Sequence, residues 1–245
     1  MNKDLKIGFF IILMLVSGIF SVCHAQDEQT ATISIDAIGH FQFGGNIIAL
    51  DDLNAELRNA EYPKFSDGFI ALGAGSYLVI NKLVIGIEGN SLTGENTNIK
   101  NFKTSISGNY RVLDLGYALY VTRVLRVYPF FSFGKEKITL SITDTKTPSS
   151  FNAVLDTLGN RAILSSSGFI FGFSLGTDYS LKIGSSEEAK GNLVIGLRFG
   201  YTLAQRNNNW DINGVGIILG GPRVGIVGPY VRLLLGLGIG GRVSI

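Results

Sequence analysis

Cysteine is almost missing from this chain of 245 residues: Cys23 is the only one, and it falls in a stretch read below as a removable leader. That leaves no disulfide framework and no thiol chemistry. Histidine is nearly as scarce. Only His40 lies beyond the leader, and a His/Cys metal site needs several such donors. An excess of either charge sign is missing too. Lys and Arg number 21 against 19 Asp and Glu, and without Lys3, Lys6 and Asp4 the balance is 19 to 18. This excludes the basic footprint of a nucleic-acid partner. A membrane-spanning helix is also excluded: the apolar stretch Ile7–Phe20 has 14 residues, where roughly 20 are needed.

That stretch instead reads as the core of a secretory signal peptide, residues 1–25. Lys3 and Lys6 precede it, and Cys23-His24-Ala25 approximates a small-x-small cleavage site. A rival reading makes Cys23 a lipidated first residue, but Val22 is bulky where a lipobox wants a small one. The remainder, 26–245, is one domain's worth of chain.

What is abundant is alternation. In Leu193-Val194-Ile195-Gly196-Leu197-Arg198-Phe199-Gly200-Tyr201-Thr202-Leu203, every odd position is large and apolar. All but Val194 of the even ones are glycine, polar or charged. Side chains of a strand alternate between faces, so the bulk leaves on one side. The other face, glycine with single charges, suits the inside of a narrow tube better than a solvated surface. Apolar outside and polar inside is the pattern of a transmembrane β-barrel. A soluble lipocalin-like barrel needs the opposite orientation.

Eight strands are expected: Ala31–Phe43, Gly68–Ile80, Leu83–Ser91, Thr104–Val121, Leu125–Ile142, Gly168–Ile183, Leu193–Ala204 and Tyr230–Val243. Asn81-Lys82 predicts a two-residue turn that sets Ile80 opposite Leu83. At Thr122–Val124 a three-residue turn, with Val121 opposite Leu125, keeps Arg126 inside. Connections alternate short and long; Gly44–Asp67, Leu92–Lys103, Thr143–Ser167 and Gln205–Pro229 are the long ones. Barrels of this kind keep short turns in the periplasm and long loops outside. In the first long loop Leu50, Leu53 and Leu57, with Asp51 and Asp52 early and Pro63 as a stop, predict a short amphipathic helix across the mouth or on the rim. The last loop holds Gly214–Pro222, apolar for an exposed segment: it folds into the lumen, forms a partner surface or belongs to misplaced strands.

The alternation places Asp36, Glu88, Asp114, Glu136 and Asp178 inside with Arg126, Arg198, Arg232 and Arg242. Near-balance of buried charge predicts a paired network. An eight-stranded tube is only wide enough to be filled by side chains, and Tyr128, Phe130 and Leu234 add bulk. A plugged interior is the first reading and a narrow conduit for small solutes the second. Gly236, Gly238 and Gly240 form a bare inner stripe, expected opposite Arg or Tyr side chains. Tyr117, Tyr179 and Tyr201 point outward near strand ends, as interfacial aromatics do.

Two motifs imitate chemistry. Gly172-Phe173-Ser174-Leu175-Gly176 matches a nucleophile elbow, which requires a strand-to-helix turn; here it lies in mid-strand. Gly236-x-Gly238-x-x-Gly241 matches a dinucleotide fingerprint, but four residues remain after it and no helix can follow. No cofactor is implied. His40, on the inner parity, with Ser174 and nearby acids leaves a lipid-modifying enzyme as a third reading.

The leader, the alternating strands and the long outer loops resemble small outer-membrane β-barrels of the OmpA/OmpX type. Leu53-Asn54-Ala55-Glu56-Leu57, Tyr62-Pro63-Lys64-Phe65-Ser66, Arg126-Val127-Tyr128-Pro129 and Gly228-Pro229-Tyr230-Val231-Arg232 are similar to outer-membrane β-barrel proteins of Bacteroidota. The resemblance implies the outer membrane of a diderm bacterium, contact with its lipid, insertion by the barrel-assembly machinery and no catalytic residues. An extracellular or periplasmic protein partner stays open. Such barrels usually end in an aromatic residue, whereas this chain ends Val243-Ser244-Ile245.

Overall fold

The computed structural model describes residues 32–99, 102–145, 161–183, 190–212 and 215–244. The leader at 1–25 lies outside the described residues. The elements are β1 (Thr32–Ile47), α1 (Asp51–Asn59), β2 (Gly68–Ile80), β3 (Leu83–Ile99), β4 (Phe102–Tyr117), β5 (Tyr120–Val121) and β6 (Leu125–Asp144). They continue with β7 (Arg161–Ile183), β8 (Lys190–Ala204), β9 (Trp210–Ile212), β10 (Ile217–Ile218) and β11 (Gly228–Ser244). Eight strands close a ring in the order β1-β2-β3-β4-β6-β7-β8-β11, with β11 back against β1. Apart from the closing β11–β1 pair, ring strands successive in sequence are neighbours in the ring, the arrangement of an up-and-down barrel.

Pairing keeps apolar residues in register on one face. Phe43 is opposite Leu72, Phe133 opposite Phe171, Phe171 opposite Leu203 and Leu235 opposite Ile195. That face is outside. Phe169 is 45% exposed and Leu235 50%, whereas Arg198 and Arg232 are 3% and 1% exposed. Water could not tolerate so continuous an apolar wall on a monomer. The fold is an eight-stranded antiparallel transmembrane β-barrel.

The Asn81-Lys82 hairpin pairs Ile80 with Leu83. Asn81 takes a φ of 57°, the left-handed region that Asn tolerates, and its Oδ1 accepts the Ser34 backbone N–H at 3.0 Å. The next short turn differs from expectation: Val121 faces Arg126, not Leu125. Between Gly116↔Phe130 and Tyr120↔Val127 the β4 side advances one residue more than β6. This bulge slips the register by one and leaves a four-residue turn closed by Thr122 N–H donating to the Leu125 carbonyl.

The long-loop end also differs. Leu92–Lys103 is not a loop, because β3 and β4 stay paired as far as Ile99↔Phe102 past an irregularity between Thr93 and Asn96. β7 likewise begins at Arg161, opposite Thr143, and β9 adds to it with Leu164 opposite Ile212. Thr93–Asn98 is polar or glycine at every position, and Ala162-Ile163-Leu164 is apolar at every position, so neither extension alternates and neither carries a strand signal.

A charge placed on the outward wall should therefore be penalised. Leu235→Arg is expected to destabilise the barrel in lipid vesicles by about 2–4 kcal/mol, the cost of a cation near the bilayer midplane. Urea unfolding from vesicles checks it, and an unchanged midpoint would mean Leu235 does not face hydrocarbon.

Candidate functional site

The interior of the ring is filled in three layers. At the short-turn end Ile38, Tyr77, Val79, Val84, Ala118, Tyr128, Phe130 and Val194 form an apolar floor. At the long-loop end a second apolar cluster unites α1 with the upper strands. Leu50, Leu53 and Leu57 pack with Leu92, Ile106, Ile138, Ile170 and Ile226. α1 thus lies across the mouth. Its Asp51 and Asp52 sit in the first turn and Arg58 in the last, which suits the helix dipole. The side-chain amide of Asn54 donates to the Phe65 carbonyl (3.0 Å) and its Oδ1 accepts the Phe65 N–H (2.9 Å), tying the helix to the chain that follows.

Between these layers sits the charge. Glu88 on β3 stands between two arginines from the opposite wall. Its Oε2 lies 2.6 Å from Nη1 of Arg198, and its Oε1 3.7 Å from Nη1 of Arg232. Gln42 Nε2 donates to the same Oε2 at 3.2 Å. Arg198 lies 4.0 Å from Asp114, which accepts the Ser132 hydroxyl at 2.5 Å. The arginines are also sandwiched by rings: Arg198 over Phe130 (4.9 Å) and Tyr77 (5.4 Å), Arg232 over Tyr230 (4.4 Å) and Tyr110 (5.2 Å). Planar guanidinium suits both contacts at once. Arg232 Nη2 also donates to Asn46 Oδ1 at 2.9 Å.

The other charges sit nearby in separate roles. Asp178 accepts the hydroxyls of Tyr77 (2.6 Å) and Tyr128 (3.0 Å). Asp36 pairs with Arg126 at 2.5 Å where the interior meets the short-turn rim. Glu136 accepts the backbone N–H of Ile226 at 2.6 Å, so an inner-wall carboxylate pins the last loop inside the tube. Arg242 is on β11, and its side chain lies outside the described residues. The glycine stripe of β11 faces acid, imidazole and aliphatic groups rather than Arg or Tyr: a Cβ on Gly236 would come within 2.9 Å of His40, and one on Gly238 within 3.0 Å of Ile38.

The elbow-like serine is engaged elsewhere. Ser174 shares a hydrogen bond with the Tyr230 hydroxyl, while the His40 ring lies 5.5 Å from that of Tyr77. The last loop divides. Val224 and Ile226 are buried in the upper cluster, whereas Val215, Ile217 and Leu219 are 85%, 69% and 76% exposed. Alternation could not foretell the upper apolar layer, because its inward residues oppose loop segments distant in sequence.

Glu88 neutralises two buried cations, so removing it leaves both underpaired. Glu88→Ala is expected to cost about 3–5 kcal/mol, the usual penalty for breaking a buried ion pair, read as a lowered urea midpoint in vesicles. A midpoint within experimental error of the parent would show that the arginines are held by their rings, Asn46 and Asp114 without Glu88.

No family model and no curated protein matches the chain. Solved structures do. Ail, the attachment invasion locus protein of Yersinia pestis, is 10% identical, with 85% of this chain and 98% of that chain covered and a TM-score of 0.39. A major outer membrane protein of Thermus thermophilus is 11% identical, covering 84% and 99%, with a TM-score of 0.43. The outer membrane protease OmpT of Escherichia coli is 9% identical, covering 91% and 99%, with a TM-score of 0.29.

Proposed function

We propose that this chain, freed of residues 1–25, is an integral outer-membrane barrel. In this reading its lumen is closed and its work is done by the loops at its outer end, as a non-enzymatic structural or surface-binding protein. The observation that carries the reading is the triple filling of the tube. A conduit needs a continuous polar path, and here the charged layer is shut between Tyr128 and Phe130 on one side and Leu53, Leu57 and Ile226 on the other. Buried arginines held by carboxylates and rings serve as packing in such a place. The exposed apolar tip Val215–Leu219, carried on the β9–β10 hairpin beyond the barrel, supports a surface role, since bare apolar patches commonly mark contact sites.

Mid-strand placement of Gly172–Gly176, with its serine bonded to Tyr230, supports a reading without covalent catalysis. The channel reading draws only on the interior charge.

Two measurements test this. Planar-bilayer recording of the purified barrel is expected to show no discrete conductance steps; regular steps would favour the channel reading. The sole cysteine lies in the leader, so an Ile217→Cys variant offers a single thiol. A membrane-impermeant maleimide should label it on intact cells, and labelling only after lysis would invert the orientation.

A further inference from the structure

One patch breaks the apolar outer wall. On the outward positions of β4 and β6, Arg111 stands directly opposite Lys135, and Asn109 directly opposite Lys137. All four side chains are exposed. Like charges on directly paired strand positions repel each other. Among the described residues, the outward neighbours on the flanking strands are Ile87, Gly89 and Ser91 of β3 and Ser167, Phe169 and Phe171 of β7, none of them acidic, and the exposed Glu95 farther along β3 accepts the Ser66 N–H. The outward positions below, toward the short turns, are Leu113 and Phe133, then Leu115 and Phe131. The cations therefore sit on the long-loop border of the apolar belt, where its hydrocarbon gives way to headgroups.

A trough leads away from them along the wall. Small residues make its floor: Gly39 of β1, Ala74 and Ser76 of β2, and Gly89 of β3. Leu237 of β11 forms one bank, and Ile87, Leu113 and Phe133 the other. Arg111 and Lys135 line its upper part. Gly134, next to Lys135 on β6 and paired with Val112, approaches β4 so closely that any Cβ would overlap the Arg111 carbonyl oxygen. The rung beyond Asn109 and Lys137 pairs Ser107 with Thr139. From belt to loops, the outer wall thus passes from a hydrocarbon groove to paired cations, then to an amide facing a third cation, Lys137, and to hydroxyls.

We propose that this surface is a specific site for a phosphorylated glycolipid of the outer leaflet, an inference that rests on the membrane reading above. Arg111 and Lys135 take a phosphate, where charge-assisted bonds are strongest and guanidinium geometry fits. One acyl chain lies in the trough. Asn109, Ser107 and Thr139 face the sugar, whose hydroxyls distinguish this occupant from a glycerophospholipid. Binding the anion removes the repulsion between the opposed cations, so the bound lipid also stabilises the β4–β6 seam.

Native mass spectrometry of the full barrel, extracted in mild detergent and incubated with defined lipids, tests it. The probes are bisphosphorylated lipid A, the same lipid stripped of phosphate, and phosphatidylglycerol. The parent protein is expected to hold one phosphorylated lipid A preferentially. An Arg111→Gln/Lys135→Gln variant should bind it at least about tenfold more weakly, as the loss of charged hydrogen bonds implies. Lys82→Gln, at the opposite end of the barrel, should bind as the parent does. Equal binding by the double variant, equal binding of the phosphate-free lipid, or preference for phosphatidylglycerol would each overturn the proposal. Heat-modifiable gel migration separates the two failures. A parent that does not migrate as a folded membrane barrel defeats the membrane reading, whereas a normally migrating double variant that keeps its lipid defeats only this site.

Discussion

A backbone amide facing hydrocarbon has no solvent to bond, and each unsatisfied group costs several kcal/mol. A sheet in lipid must therefore have no free edge. Here β11 returns to β1 and the ring is complete. Closure with eight strands leaves a tube about wide enough for side chains alone, so the size of the ring dictates that every inward residue be part of a packed interior. Alternation, filling and polarity all descend from that one requirement.

The filling solves an unusual packing problem. Arg198 and Arg232 are among the longest side chains available, and both are buried. Their length spans the tube to Glu88 on the far wall, and their flat heads stack on Tyr77, Phe130, Tyr110 and Tyr230. Such a centre ties together strands that share no ladder: β3 with β8 and β11. Apolar layers flank it on each side, and a low-dielectric surrounding strengthens charge pairing. The upper layer depends on α1 and on the returning segment Val224–Ile226, so the long loops are structural at their roots and free only at their tips.

The outer wall carries a different constraint. Lipid rewards a uniform apolar surface, and the paired cations of β4 and β6 depart from it at one height and on one side. Their repulsion is a local cost with no partner within the described outward faces of those strands, which makes an external anion the simplest source of compensation.

Much of this was legible in the residues. The odd-numbered bulk of Leu193–Leu203 predicts the strand, its outward face and the inward turn of Arg198, because a two-residue period leaves no choice once one face meets lipid. The Asn81-Lys82 turn is equally local. Val121 was misplaced by one position, since a bulge is a negotiation between two strands and leaves no mark on either alone. The strand extensions beyond Ser91 and before Gly168 are illegible in sequence because Thr93–Asn98 is polar or glycine throughout and Ala162-Ile163-Leu164 apolar throughout, and neither shows the contrast that reveals alternation. By itself, then, the amino-acid order determined which side of each strand is greasy, and hence the barrel and its polarity. Only the folded ring decided which charges meet, that α1 packs into the upper apolar cluster, and that Arg111 stands against Lys135. Those relations join residues from different strands, and periodicity along one strand carries no information about its neighbour's register.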